Sequence, residues 1–181
     1  GKKKIKFSVI RYGNVMGSRG SVLPYFLSLN KNQLPLTHKD MTRFNINLDE
    51  ACDLVYNMML KNIGGEILVP KIPSFYISDL IKAISKKNKY KIVGIRPGEK
   101  LYEELINLDE SQYTIEKKKC FLIFPNLSLK ELKLLSKKNG GKISNSKFSY
   151  NSLNNKKFLN INDLKKLIVK YKNEDTSYSS S

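Results

Sequence analysis

IKFSVIRYGNVMGSRGSVLP, residues Ile5 to Pro24, joins two unlike pieces of chain. Ile5 to Arg11 is a short β-rich run of the kind that occupies a buried parallel strand. It ends in a turn segment crowded with glycine, serine, asparagine and arginine. Gly13, Gly17, Ser18 and Gly20 are small enough to let backbone amides approach a ligand closely, and N–H groups together with Arg19 suit phosphate oxygens. The other reading is a cluster of turn glycines that holds nothing.

From this turn the chain alternates. A short amphipathic helix is expected after Pro24 and through Leu29. NQLPLTHKDMTRFNI then reads as a loop with extended pieces, because Pro35 blocks a helix. Asn47 with Glu50 three residues on is a capping pair for the clearest helix, whose Leu48, Ala51, Cys52, Val55, Met58 and Met59 form one apolar stripe. GGEILVPK is a turn and strand. SDLIKAISKKN is a second capped helix with Ile77, Leu80, Ile81 and Ile84 inward, and YKIVGIR is a strand closed by the RPGEK turn. EKLYEELI is expected as a short helix, KKCFLIF as a strand, and SLKELKLLSKK and NINDLKKLIVKY as helices. Such alternation indicates an α/β or α+β chain with some parallel pairing. The polar tail NEDTSYSSS, from residue 173, is expected to be disordered.

The chain has 181 residues, enough for one real core, and 40% of them are apolar. No apolar run approaches the ~20 residues that span a bilayer, and the lysine-rich start lacks the apolar segment of a signal peptide. These features lead to the expectation of a cytoplasmic protein. Cys52 and Cys120 lie far apart with no CxxC and no nearby histidine, so buried free thiols are expected and no metal.

The net charge of +17 raises the possibility of a basic module that holds RNA or DNA. Its distribution favours a solvated surface instead. Basic pairs and triplets (Lys2 to Lys4, Lys86 and Lys87, Lys117 to Lys119, Lys137 and Lys138, Lys156 and Lys157, Lys165 and Lys166) are spread over every segment, and the 18 asparagines belong to the same drift. Of the 33 basic residues only four are arginine: Arg11, Arg19, Arg43 and Arg96. In a lysine-rich chain these are candidates for places needing a planar, bidentate cation, either at an anionic ligand or in structural salt bridges. The chain opens at Gly1, enters a core-type strand within a few residues and has no GxGxxG run. A fragment lacking its N-terminal part is the simplest account; a processed or tagged chain is the other.

In order and spacing, RYGNVMGSRGSVLP, MTRFNINLDEACDLV, GGEILVPKIPS and GIRPGEKLYEELI resemble the C-terminal half of the nucleotide-sugar 4,6-dehydratases of the extended short-chain dehydrogenase superfamily. The likeness is strongest to the inverting UDP-N-acetylglucosamine 4,6-dehydratases and runs strongly from Phe7 to Ile106. FSYNSLNNKKFLNINDLKKLI continues it more weakly. Epimerases acting on UDP-N-acetylglucosamine are similar over the first two motifs, but PKIPS and RPGEK favour the dehydratase.

The resemblance implies the C-terminal part of a Rossmann-type α/β fold over residues 1–172, with a mixed α/β substrate-binding region. It also implies NADP as cofactor, a UDP-sugar substrate, a homo-oligomer when full length, and neither nucleic acid nor membrane as partner. The family's Tyr-x-x-x-Lys and Asp-Lys acid/base pairs lie upstream, so no catalytic residue is expected here. Tyr113 and Lys117 spell Y-x-x-x-K, but in a short polar stretch running into a strand, where residues four apart share no helical face. By resemblance Asn14 contacts the sugar nucleotide, Val15, Met16, Gly17, Ser18 and Arg19 run along the nicotinamide end of NADP, and Val22 packs on the substrate. Thr37 and Arg96 match positions that meet uridine diphosphate. Glu99 matches one near the ribose, the alternative being that it caps a helix. Arg43 anchors its loop, and His38 is a surface histidine with no catalytic role.

Overall fold

A computed structural model describes residues 5–29, 33–85, 90–144 and 147–178. Lys2 to Lys4, Lys86, Lys87 and the last three serines lie outside the described residues. In chain order the elements are β1 (Val9–Ile10), α1 (Val22–Ser28), β2 (Leu34–Leu36), β3 (Thr42–Phe44), α2 (Leu48–Lys61), β4 (Ile67–Pro70), β5 (Ser74–Tyr76), α3 (Ile77–Ile84) and β6 (Tyr90–Ile92). They continue with β7 (Glu104–Ile106), α4 (Leu108–Ser111), β8 (Thr114–Glu116), β9 (Cys120–Ile123), α5 (Leu129–Asn139), β10 (Lys142–Ile143), β11 (Tyr150–Asn151) and α6 (Ile161–Tyr178). The expected α/β class is found, but in two compact units, each assembled from three separate stretches of chain.

The first unit comprises residues 1–12, 49–72 and 104–151. Its five-stranded sheet has the order β1-β4-β9-β8-β10. β1 pairs with β4 in parallel, while β4, β9, β8 and β10 are joined by antiparallel ladders. The long connection between parallel β1 and β4 ends in α2, as parallel pairing requires a crossover. The turn from α2 into β4 is held by Glu66. This buried carboxylate accepts the N–H of Ile63 at 2.7 Å and of Gly64 at 2.6 Å, so two turn amides need no water. Leu132 of α5 packs with Ile115, Leu122 and Phe124 under the sheet. Ser128 and Glu131 form a reciprocal capping box at the start of α5, as do Asn107 and Glu110 at α4.

The second unit comprises residues 13–48, 73–103 and 152–181. Leu23 and Phe26 of α1, Leu34 and Leu36 of β2, Leu80 and Ile81 of α3, and Leu164 and Ile168 of α6 make one core. β2 runs parallel to β6 and β3 antiparallel to β5. Asn160 starts α6 by accepting the amides of Asn162 and Asp163, while Asp163 accepts the Asn160 amide.

Several expectations fail for identifiable reasons. EKLYEELI is no helix. The Leu101 carbonyl accepts the Thr42 amide, the Glu103 carbonyl accepts the Ser152 amide, and Glu104–Ile106 pair with β11, so distant partners take the groups that a helix would use internally. The α2 stripe exists, but only Ala51 and Met58 are buried; Leu48, Cys52, Val55 and Met59 are exposed. Both thiols are free, but neither is buried: Cys52 is exposed and Cys120 half-buried. The burial that remains pushes the Cys120 thiol pKa up, against the pull of Lys117 and Lys71. α3 begins after Tyr76 with no side-chain cap. α6 continues to Tyr178, through the first residues of the expected disordered tail. Ile5 to Arg11 pairs as a strand at Val9–Ile10 and lies at the sheet edge with Ile5, Phe7 and Val9 exposed, because β4 is its only neighbour among the described residues.

Candidate functional site

The glycine turn is folded tightly within the second unit. A side chain on Gly13 would place its Cβ 2.5 Å from Cβ of Phe44, so only glycine brings the chain this close to β3. Val15 bridges Ile46 in parallel, and the Met16 amide donates to the Ile46 carbonyl at 2.8 Å. Ser18 N–H then returns to the Val15 carbonyl and Ser21 N–H to the Ser18 carbonyl, with Gly17 and Gly20 at φ of 80° and 79°. The amides of Met16 and Ser18 are thus used within the turn. The Arg19 side chain makes no hydrogen bond or ion pair among the described residues.

RPGEK supplies the facing wall. Gly98 has φ of 81°, and Glu99 N–H donates to the Arg96 carbonyl at 3.0 Å. One Glu99 oxygen accepts the Thr37 hydroxyl at 3.1 Å and the other the Arg96 amide at 3.3 Å. No helix starts here, so Glu99 is not a helix cap. Its carboxylate ties the turn that carries Arg96 to the end of β2.

Between these walls lies a pocket of about 250 Å³. Asn14, Val22, Thr37, Arg96 and Glu99, the five residues expected to meet the sugar nucleotide, all line it. Val15 to Arg19 do not; they span the interval between Asn14 and Gly20, which do. Met41, Phe26 and Ile77 contribute apolar surface, a part of the lining that the sequence reading missed. The signal was present for Phe26, which lies four residues from Val22 on one face of α1.

Arg43 also lines the pocket while anchored as expected. Its Nη1 donates to the Thr42 carbonyl at 2.7 Å, and Nε lies 3.9 Å from a Glu103 carboxylate oxygen. Glu103, unrecognised in the sequence, accepts the Phe44 amide at 2.8 Å, and its own amide donates to the Ser152 hydroxyl. Burial raises its pKa, against the lowering effect of the Phe44 amide and Arg43. Arg11 belongs to the first unit, where it pairs with Glu110 at 2.8 Å and donates to the Leu105 carbonyl at 3.0 Å. His38 sits on a loop and accepts the Asp40 amide. Tyr113 precedes β8, and Lys117 donates its amide to the Cys120 carbonyl in the β8–β9 hairpin, so the pair shares no helical face.

Among the described residues there is no group of three or more His, Cys, Asp or Glu that could hold a metal ion, and no helix long and apolar enough to cross a membrane. The pocket offers one arginine on a rigid turn, a second anchored one, a carboxylate, a hydroxyl and an amide beside apolar surface. That set suits a ligand with an anionic centre, hydroxyls and a flat or apolar portion.

The chain has recognisable relatives. Residues 1–125 match the model of a family described as polysaccharide biosynthesis protein. The chain is 40% identical to a UDP-N-acetylglucosamine 4,6-dehydratase (inverting) of Campylobacter jejuni subsp. jejuni serotype O:23/36 (strain 81-176), over 93% of this chain and 52% of that protein. It is 42% identical to a UDP-glucose 4-epimerase of Rickettsia bellii (strain OSU 85-389), over 60% of this chain and 34% of that protein. Among solved structures it resembles Pen from Bacillus thuringiensis, with a TM-score of 0.73 and 31% identity, over 91% of this chain and 49% of the other. The chain spans about half the length of the dehydratase and of the solved structure.

Proposed function

Because the chain belongs to the polysaccharide biosynthesis protein family, we propose that it is the substrate-binding C-terminal portion of an inverting nucleotide-sugar 4,6-dehydratase acting on UDP-N-acetylglucosamine. One observation carries this reading: Asn14, Val22, Thr37, Arg96 and Glu99, drawn from two separate motifs and the loop between them, line a single pocket. Arg96 clamps the diphosphate with a planar fork, Glu99 accepts ribose hydroxyls after yielding its Thr37 bond, and Val22 packs on the substrate. The likeness to the dehydratase reaches nearly the whole chain, whereas that to the epimerase covers 60% of it.

The turn from Val15 to Arg19 suits an anionic cofactor, NADP in our reading. Gly20 has open space where a side chain would stand, and the Arg19 guanidinium has no partner among the described residues. Val15 to Arg19 would hold the cofactor, whose nicotinamide would supply a reversible hydride acceptor for the dehydration. This chain's residues bind and orient the nucleotide and exclude water from it. The groups that move protons belong to the portion of the relatives that the chain does not span.

Titration calorimetry with UDP and with a polynucleotide, each at two salt concentrations, tests the reading. UDP is expected to bind, and Arg96→Ala to weaken it about tenfold or more through loss of a charge-assisted contact. Tight, salt-sensitive polynucleotide binding without UDP binding overturns the proposal in favour of a nucleic-acid module. Turnover of UDP-N-acetylglucosamine by this chain alone would show that it holds its own acid/base groups.

A further inference from the structure

A second concavity lies in the same unit as the Arg96 pocket and shares no lining residue with it. It is a trough of about 700 Å³ between the last turn of α3 and one face of α6. At about 100° per residue, Ile161, Lys165, Ile168, Val169 and Lys172 fall within a narrow arc of α6, so a single face of this helix forms one wall. Ile84 of α3 and Leu27 of α1 extend the apolar lining. Val169, between Lys165 and Lys172, is 58% exposed, an apolar side chain that the fold leaves in water. The polar rim carries one sign: Lys82, Lys165 and Lys172 line the trough, and among the described residues no aspartate or glutamate does. Asp79, a turn earlier on α3, pairs with Lys82 at 2.8 Å. Lys165 and Lys172 are one heptad apart, which spaces them about 10 Å along the helix axis.

We infer that this trough docks an acidic amphipathic helix of a partner protein, with the apolar stripe of that helix laid over Ile84, Ile168 and Val169 and carboxylates one heptad apart facing Lys165 and Lys172. Shape, lining and charge each select this occupant. A helix is a rod about 10 Å across that lies along a trough, whereas a bilayer surface is flat and leaves it unfilled. The apolar lining rewards a stripe at i, i+3, i+4 and i+7, which neither an extended acidic peptide nor a nucleic-acid backbone offers. The lysine rim attracts carboxylates, and a net charge of +17 on each chain disfavours a second copy. Docking there leaves the Arg96 pocket free, so it does not depend on the proposed dehydratase function.

The probe is a fluorescein-labelled helical peptide of about 18 residues, with leucine at i, i+3, i+4 and i+7 spacing and glutamate flanking that stripe, followed by anisotropy at about 0.15 M salt. It is expected to bind this chain about tenfold or more tightly than a peptide of the same composition with the stripe scrambled, and than one carrying lysine in place of glutamate. Val169→Asp, at an exposed position, should weaken the acidic helix about tenfold while circular dichroism shows the fold unchanged. Lys165→Glu with Lys172→Glu should reverse the preference, so that the lysine peptide binds better. Lys130→Glu with Lys133→Glu, the same change of charge at exposed positions of α5, should leave the preference as it was. Equal binding of the scrambled peptide, or reversal by the α5 pair, reduces the effect to net charge and overturns the inference. Binding to phosphatidylglycerol vesicles that Val169→Asp abolishes, with peptide affinity unchanged, also overturns it and makes the face a membrane contact. Concentration-dependent dimerisation lost in Val169→Asp overturns it in favour of a second copy. Each of these results leaves UDP binding at Arg96 untouched; absence of UDP binding by the unaltered chain is the failure of the proposed function alone.

Discussion

Gly17 shows how one residue couples the turn to the rest of its unit. Its φ of 80° is a left-handed conformation, and an added Cβ would lie 2.4 Å from a ring carbon of Tyr171 on α6. Gly17→Ala is expected to cost roughly 1–3 kcal/mol, from positive φ and forced displacement together. Calorimetric melting and UDP titration should both register it. Tyr171→Ala in the same chain should recover the steric part and not the backbone part. The glycine positions were legible because glycine is the residue that such turns demand, and Arg96 because arginine is rare in this chain. Glu103 was not, because its partners Phe44 and Ser152 are supplied by remote segments and nothing local marks them.

At the scale of elements, α1, α2, α3, α5 and α6 were readable from apolar spacing, and β4, β6 and β9 from apolar runs between turns. β7 was not, since EKLYEELI has a helix-like composition and becomes a strand only through β11. α2 was assigned the right residues and the wrong surroundings, because periodicity reports which face is apolar and not what covers it. Two buried or paired groups give pH signatures at this scale. Arg11 holds the Glu110 carboxyl below its ordinary pKa of 4.5, aided by the Asn107 amide and opposed by burial. A lowered folded pKa means that the pair stabilises above 4.5 and loses that contribution as pH falls below it. Glu110→Gln should therefore lower stability by about 1 kcal/mol at neutral pH, and by progressively less in acid titrations monitored by circular dichroism. Tyr150 behaves oppositely. Its hydroxyl donates to the Ile72 carbonyl and accepts the Ile72 amide, and burial pushes its pKa up to about 12. The folded state favours the neutral phenol, so stability falls as pH rises above the ordinary value of 10.0 toward about 12. Tyr150→Phe should be less stable at neutral pH and should lose this part of the alkaline slope in urea titrations.

For the whole molecule, the charge of +17 predicts a response to salt that is independent of any ligand. Going from about 0.01 M to about 0.15 M salt shortens the screening length from about 30 Å to about 8 Å, which relieves repulsion among the lysines. The melting temperature should rise by a few degrees; an unchanged value would mean that the charges are already neutralised. The interleaving of the two units has a different consequence, one for synthesis. The chain passes from one unit to the other five times, and the first unit waits for residues 142–151 to supply β10 and β11. The second waits for α6 at the very end. A ribosome delivering this chain therefore cannot release one finished unit and then begin the next: the first remains open until residue 151 and the second until α6 has emerged, and a nascent chain stalled before residue 151 has no completed unit to protect it from aggregation or proteolysis.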